Sequence, residues 1–188
     1  MRERSAPELA PTVIEQAKRG DENAFAAIVG RYDPGLRALA FRLLGDRERM
    51  DDALQEAYVR AFRALPRFRG DAKLGTWLYR IAYNACLDEL ESAKRVVQLP
   101  LEALGEQDDP RADVVESVAG RGELAAALAT LAPQDRAAIL MVDAQGFGYR
   151  EAAAALGVPE GTIGSRLNRA RALLRDALGE TTGEVSGR

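Results

Sequence analysis

Apolar residues recur at helical spacing through most of this 188-residue chain, and the pattern stops once, after Val97. An apolar period of three to four residues calls for amphipathic helices. No strand-type alternation and no internal repeat accompanies it. Across residues 96–120 the period is lost, Pro100, Gly105 and Pro110 interrupt the chain, and acids cluster from Glu102 to Glu116. That composition reads as a flexible linker. The expected fold is all-α: two small helical domains joined by an acidic linker. The boundaries are an N-terminal extension over 1–17, a first domain over 18–97, the linker over 98–120, a second domain over 121–178 and a disordered tail over 179–188.

Local signals divide each half. Asp21 can cap a helix carrying Phe25, Ile28 and Val29. Asp33-Pro34 reads as the start of another, a cap followed by proline at the first helical position, with Leu36, Leu39, Ala40, Leu43 and Leu44 along it. Gly45-Asp46 ends that helix. A third is expected from about Arg49 to Leu65, stopped by Pro66. Residues 67–73 read as a loop, and a fourth helix runs from Thr76 through Leu90. In the second half Leu124, Leu128 and Leu131 form one stripe. Pro133 opens the next helix, and Gly146-Phe147-Gly148 turns the chain. A short helix spans Tyr149 to Leu156, and a last one runs from about Glu160 to Leu178.

The chain has no histidine and one cysteine, Cys86. An intramolecular disulfide, a Cys/His zinc site and Ser–His or Cys–His catalysis all lack their residues. Cys86 lies in an apolar helix, as a core thiol would. No cofactor or metal is expected. There is no signal-peptide pattern and no bilayer-length apolar run, so a cytoplasmic location is the default. The net charge of −3 is uneven: residues 18–95 carry +3 and residues 96–120 carry −5. Attraction to a charged partner depends on local surface charge rather than on the sum.

Between Arg150 and Leu167, two helices meet at Gly157-Val158-Pro159. Ala153 is small where the helices must approach. Gly157, four residues on, suits a turn of positive φ. Ile163, six further, faces the shared core. Small, glycine, apolar at this spacing marks a DNA-binding helix-turn-helix. The second helix presents Ser165, Asn168 and Arg169 as a polar stripe near its start, the end that enters the major groove. Asn and Arg can make bidentate bonds to adenine and guanine edges, and Thr162 can take a phosphate. The same pattern also fits a plain helical hairpin with a solvated arginine face.

The stretch Pro159-Glu160-Gly161-Thr162-Ile163-Gly164-Ser165-Arg166-Leu167-Asn168-Arg169-Ala170-Arg171 resembles the promoter-binding region of extracytoplasmic-function sigma factors of bacterial RNA polymerase. Asp51-Asp52-Ala53-Leu54-Gln55-Glu56-Ala57-Tyr58-Val59-Arg60-Ala61-Phe62 resembles that family's polymerase-binding helix. Phe68-Arg69-Gly70 and Thr76-Trp77-Leu78-Tyr79-Arg80-Ile81-Ala82-Tyr83-Asn84 resemble its promoter-melting segment. The likeness covers about residues 18–178.

The resemblance implies roles. Asp51, Asp52, Gln55, Glu56 and Arg60 would dock on the clamp helices of the polymerase's largest subunit. Acids at a helix start also suit the helix dipole without any partner. Arg67, Phe68, Arg69, Gly70, Lys73, Trp77, Arg80 and Asn84 would open and hold the −10 element, for which a melted strand needs charge, aromatic faces and base-edge donors. Phe68 and Trp77 also fit core packing, and for Trp77 core is the favoured reading over base-stacking. Ser165, Asn168 and Arg169 would contact −35 bases or their neighbours, with Thr162 and Arg166 on phosphates. The acidic linker would thread the polymerase cleft or serve as a tether, and an anti-sigma protein would hold the factor in check. Promoter DNA, double- and single-stranded, and core polymerase are the implied partners, without membrane insertion. The implied role is promoter recognition and strand opening, with no active site of its own.

Two departures bear on −35 recognition. Gly164 stands where the family often has a basic residue, and Gly148 where a Ser or Thr cap is common. Arg111 is the sole base in the linker and has no assigned role. A stand-alone helix-turn-helix regulator is the alternative. A response regulator's output domain would need a preceding α/β domain, which the helical periods of 18–95 do not suggest. An enzyme binding Mg²⁺ through Asp51-Asp52 or Asp108-Asp109 is disfavoured, because adjacent helical side chains diverge by roughly 100°.

Overall fold

The computed structural model describes residues 9–97 and 119–183. The acidic linker lies outside the described residues, apart from Ala119 and Gly120 at the start of α5. So do residues 1–8 and 184–188. Eight α-helices run through the rest, and no strand is present among the described residues: α1 Pro11–Lys18, α2 Glu22–Leu44, α3 Arg47–Ala64, α4 Leu74–Val97, α5 Ala119–Thr130, α6 Pro133–Ile139, α7 Tyr149–Leu156 and α8 Glu160–Gly183. The chain is all-α, as expected.

Capping chemistry sets the first boundaries. The Asp21 carboxylate accepts from the Asn23 and Ala24 N–H groups at 2.9 and 3.0 Å. Asp46 accepts from Arg49 N–H at 2.7 Å. Gly45 ends α2 in the left-handed conformation, at φ 72°. Pro66 lies in a 3-10 turn, Leu65–Arg67, that closes α3.

One expected break is absent. Asp33-Pro34 does not begin a helix; α2 runs through it without interruption. A proline inside a helix forfeits a hydrogen bond and costs about 3 kcal/mol. Packing on both sides offsets this: Ile28 precedes the proline, and Leu36, Leu39 and Leu43 follow it, all fully buried. Asp33 is used sideways instead of as a cap. Its carboxylate accepts from the Tyr58 hydroxyl at 2.6 Å and from Arg37 Nε, joining α2 to α3.

Other differences are smaller. The segment 1–17, expected as an extension, holds all of α1 but its last residue, and Ala17 of that helix is buried with Ile28, Leu65 and Leu78 in a small core. Leu124 is 44% exposed, so the expected stripe reduces to Leu128 in α5 and Leu131 just after it. α8 passes Leu178 and ends at Gly183. After α6 the chain widens into a π-helical turn, Leu140–Ala144, capped by Gln145 and followed by Phe147.

The larger core crosses both halves. Leu36, Leu39, Leu43, Leu54, Tyr79, Tyr83 and Cys86 from α2–α4 pack with Leu131, Met141, Ile163 and Leu167 from the second half. A Cβ at Gly35 would collide with the Tyr79 hydroxyl, so glycine there lets α4 and the turn at Gln145 close on α2.

Candidate polymerase and nucleic-acid interfaces

The helix-turn-helix is built by α7, the Gly157 turn and α8. Gly157 has φ 67°, the left-handed conformation that glycine adopts without strain. The N–H groups of Gly157 and Val158 both donate to the Ala153 carbonyl. Ala152, Ala153, Ile163, Leu167 and Ala170 are buried along the seam. At the start of α7, Glu151 accepts from the Gly148 N–H at 3.2 Å. This supplies half of a capping box where Gly148 offers no side chain.

This anchoring turns part of α8 outward. Ser165 and Asn168 are exposed, and Thr162 is half-buried. The Ser165 hydroxyl donates to the Thr162 carbonyl at 2.9 Å. Gly164 lies in open space: a Cβ there would meet nothing within 4 Å. Arg169 is exposed but engaged, donating Nε and Nη2 to Asp135 of α6 at 2.6 and 2.9 Å. Arg171 is paired in the same way with Asp143. Arg166 turns inward, and its Nη1 is buried without a hydrogen-bond partner. Burial raises the Tyr83 phenol pKa, and the Arg166 charge draws it back down.

The segment 67–84 divides into two faces. Arg67, Arg69, Arg80 and Asn84 are exposed. Gly70, at φ 82°, makes the turn before α4. Phe68 and Trp77 stack at a tilt, 5.1 Å between centroids, half-buried against the small core. Trp77 therefore contributes to packing in this arrangement. The other face is covered. Tyr79 is 6% and Tyr83 2% exposed, both within the core shared with the second half. Lys73 pairs with Glu151 of α7 at 2.7 Å.

On α3, Asp51, Asp52, Gln55 and Glu56 form one exposed edge. Asp51 takes the Arg37 guanidinium. Arg60 is held between Glu56 at 2.7 Å and Asp88 at 2.6 Å, and the Asp88 bond is the main cause of its raised pKa. Beside this edge, Phe25, Tyr58, Val59 and Phe62 line an apolar groove of about 440 Å³. The phenylalanine rings meet edge-on at 5.0 Å. Phe25, Tyr58 and Phe62 fall at helical apolar spacing in the sequence, and no local signal marks the groove. Nor does one mark Asp135 or Gln145, whose partners lie on distant helices. Among the described residues, no cluster of His, Cys, Asp and Glu could hold a metal. No described helix is long and apolar enough to cross a membrane.

Comparison with known proteins agrees with this architecture. Residues 28–96 match the Sigma-70 region 2 family and residues 121–184 match Sigma-70, region 4. The ECF RNA polymerase sigma factor SigM of Mycobacterium tuberculosis is 41% identical over 160 residues, 85% of this chain and 80% of that protein. Among solved structures, CnrH in complex with the cytosolic domain of CnrY aligns with TM-score 0.69 at 26% identity, over 90% of this chain and 96% of the other. The sigma factor RpoE in complex with the anti-sigma factor NepR from Bartonella quintana aligns with TM-score 0.68 at 29% identity, over 82% and 96%. The chain belongs to the extracytoplasmic-function sigma factors, non-enzymatic initiation factors of bacterial transcription.

Proposed function

We propose that this chain carries core RNA polymerase to promoters by dividing the work among three surfaces. The α3 edge of Asp51, Asp52, Gln55 and Glu56, buttressed by Arg60, docks on the clamp helices of the largest subunit. An acidic edge steers association with a basic partner. Arg67, Phe68, Arg69, Gly70, Lys73, Trp77, Arg80 and Asn84 open and hold the −10 element. On α8, Ser165, Asn168 and Arg169 read the −35 element, with Thr162 and Arg166 toward phosphates. The first unit spans 18–97 with α1 packed against it, the second spans 121–178, and the linker 98–120 joins them. An anti-sigma protein is the proposed inhibitor, supported by the anti-sigma factor named in the RpoE complex. The work takes place with polymerase in the cytoplasm.

The observation that carries this reading is the α8 face. Ile163, Leu167 and Ala170 fix the helix from below and leave Ser165 and Asn168 exposed near its start. The test is capture of bacterial core polymerase by the purified chain, followed by transcription from a promoter library with the recovered complex. Starts downstream of a shared two-box motif are expected. DNA binding without polymerase capture would instead indicate a stand-alone regulator.

A further inference from the structure

Three arginines lie between residues 160 and 171 of α8, and the fold places each differently. Arg166 turns inward, with its Nη1 buried. Arg171 lies roughly 200° around the helix from Arg169 and pairs with Asp143, both side chains well exposed. Arg169 follows the exposed Asn168, and 61% of its side chain is in solvent, yet its partner Asp135 is buried. An exposed arginine held by a buried carboxylate is fixed along one edge only. α6 fixes the carboxylate in turn, because Ala137, Ala138 and Ile139, next along that helix, are buried.

The pairing is side-on. Nε donates to Oδ2 at 2.6 Å and Nη2 to Oδ1 at 2.9 Å. A guanidinium carries five N–H donors in one plane. Three therefore remain, both on Nη1 and the second on Nη2, along the end of the fork that Asp135 does not cover. Guanine presents O6 and N7 as adjacent acceptors on its major-groove edge, and two N–H groups of one arginine meet them together. Holding the other edge does two things. It removes rotamer freedom that an untethered arginine would lose on binding. It also sets the plane of the guanidinium, on which bidentate recognition depends.

We propose that Asp135 is a positioning residue for promoter reading: it locks the Nε–Nη2 edge of Arg169 so that the Nη1–Nη2 end meets a guanine of the upstream element. Part of the base preference of α8 then belongs to a residue of α6 that does not itself touch DNA. This inference rests on the sigma reading above, and deepens it by naming the base.

The test uses the full chain assembled with core polymerase on promoter duplexes. The promoter library supplies the −35 sequence, and each of its base pairs is then exchanged singly. With the wild-type chain, exchange of one guanine should cost at least about five-fold in binding through Arg169. Asp135→Asn keeps the size of the side chain and removes its charge and one acceptor oxygen. It should reduce the penalty at that guanine to less than about two-fold. The penalties at the other positions should stay as in the wild type, which also shows that α8 remains seated. Arg169→Lys can still pair with Asp135 but cannot fork. It should lose the same penalty, and that comparison does not depend on Asp135→Asn folding. A purely structural tie would weaken binding to all sequences alike and leave the guanine penalty in place. A carboxylate that withdraws Arg169 from DNA would make the penalty grow in Asp135→Asn. Either result overturns the inference, as does a guanine penalty that survives Arg169→Lys or a −35 sequence in which no guanine matters. Failure of the wild-type complex to start transcription at all would instead retire the sigma reading.

Discussion

Arg169 grips Asp135 through two parallel hydrogen bonds, Nε to Oδ2 at 2.6 Å and Nη2 to Oδ1 at 2.9 Å. The carboxylate is only 4% exposed, and the Asp135 bond is the first cause of the raised Arg169 pKa. The residue with the geometry for guanine also ties α8 to α6. Removing the arginine would strand a buried charge, which is costly. Arg169→Ala is therefore expected to lower the melting temperature as well as weaken −35 duplex binding. Asn168→Ala, on the exposed face, should weaken binding by about 1–3 kcal/mol and leave the melt unchanged. Thermal melts beside duplex titrations separate the two. An Arg169→Ala protein with a wild-type melt would show that the pair does not hold the helix.

Gly164 offers a gain of function. Nothing lies within 4 Å of a Cβ built there, and glycine in a helix interior costs about 1 kcal/mol against alanine. Gly164→Ala should raise the melting temperature by roughly 2–4 °C in a chain of this size. Gly164→Lys should also steepen the salt dependence of duplex binding by about 0.9 in the log–log slope, as one added phosphate contact does. A slope identical to that of Gly164→Ala would place residue 164 away from the DNA backbone.

The docking edge on α3 contains two kinds of acid. Asp51 is engaged by Arg37, which also holds Asp33, while Asp52 and Gln55 are exposed on the same edge. The paired change Asp52→Lys, Gln55→Ala should reduce polymerase capture without shifting the melt. Asp51→Ala should disturb the α2–α3 joint as well. Pull-down yield and melting temperature, measured on both proteins, check this assignment. Capture that survives the paired change would move the docking surface elsewhere.

Which features were legible in the sequence follows from their range. Ala153, Gly157 and Ile163 announced the helix-turn-helix because a turn and its two flanks are encoded within a dozen residues. The caps at Asp21 and Gly45 were legible for the same reason. Pro34 misled, since a proline signal is local while the packing of Ile28, Leu36, Leu39 and Leu43 that overrides it is tertiary. Leu124 shows the same limit: helical spacing identifies a face, and only the neighbouring helices decide how far along it burial extends. Arg169 and Gln145 left no trace of their partners, which lie 34 and 110 residues away. An arginine bonded to a distant carboxylate looks, in sequence, like one awaiting DNA.

Cys86 tests the core shared by the two halves. It is buried, and desolvation pushes its thiol up to about 12. Thiolate is the reactive form, so native protein at pH 8 should resist thiol-directed reagents and react fully only when denatured. Rapid labelling of the native chain would mean that the α4 face opens on the labelling timescale.

Glu151 makes the contact between the two halves sensitive to acid. The Lys73 hydrogen bond is the largest influence on its carboxyl and holds it below the ordinary value of 4.5; burial opposes this, and the Gly148 N–H and the charges of Lys73 and Arg150 add to it. A carboxyl whose pKa is depressed by folding contributes stability that is fully present above its unfolded value and lost as pH falls through the folded one. The melting-temperature difference between wild type and Glu151→Gln should therefore be constant from pH 7 down to about 5, then shrink below about 4.5 as the wild-type carboxyl protonates. The difference should be small, since a partly exposed pair contributes at most about 1 kcal/mol. A difference that persists unchanged to pH 3 would mean that Glu151 acts through packing, and that the Lys73 pair contributes nothing to joining the halves.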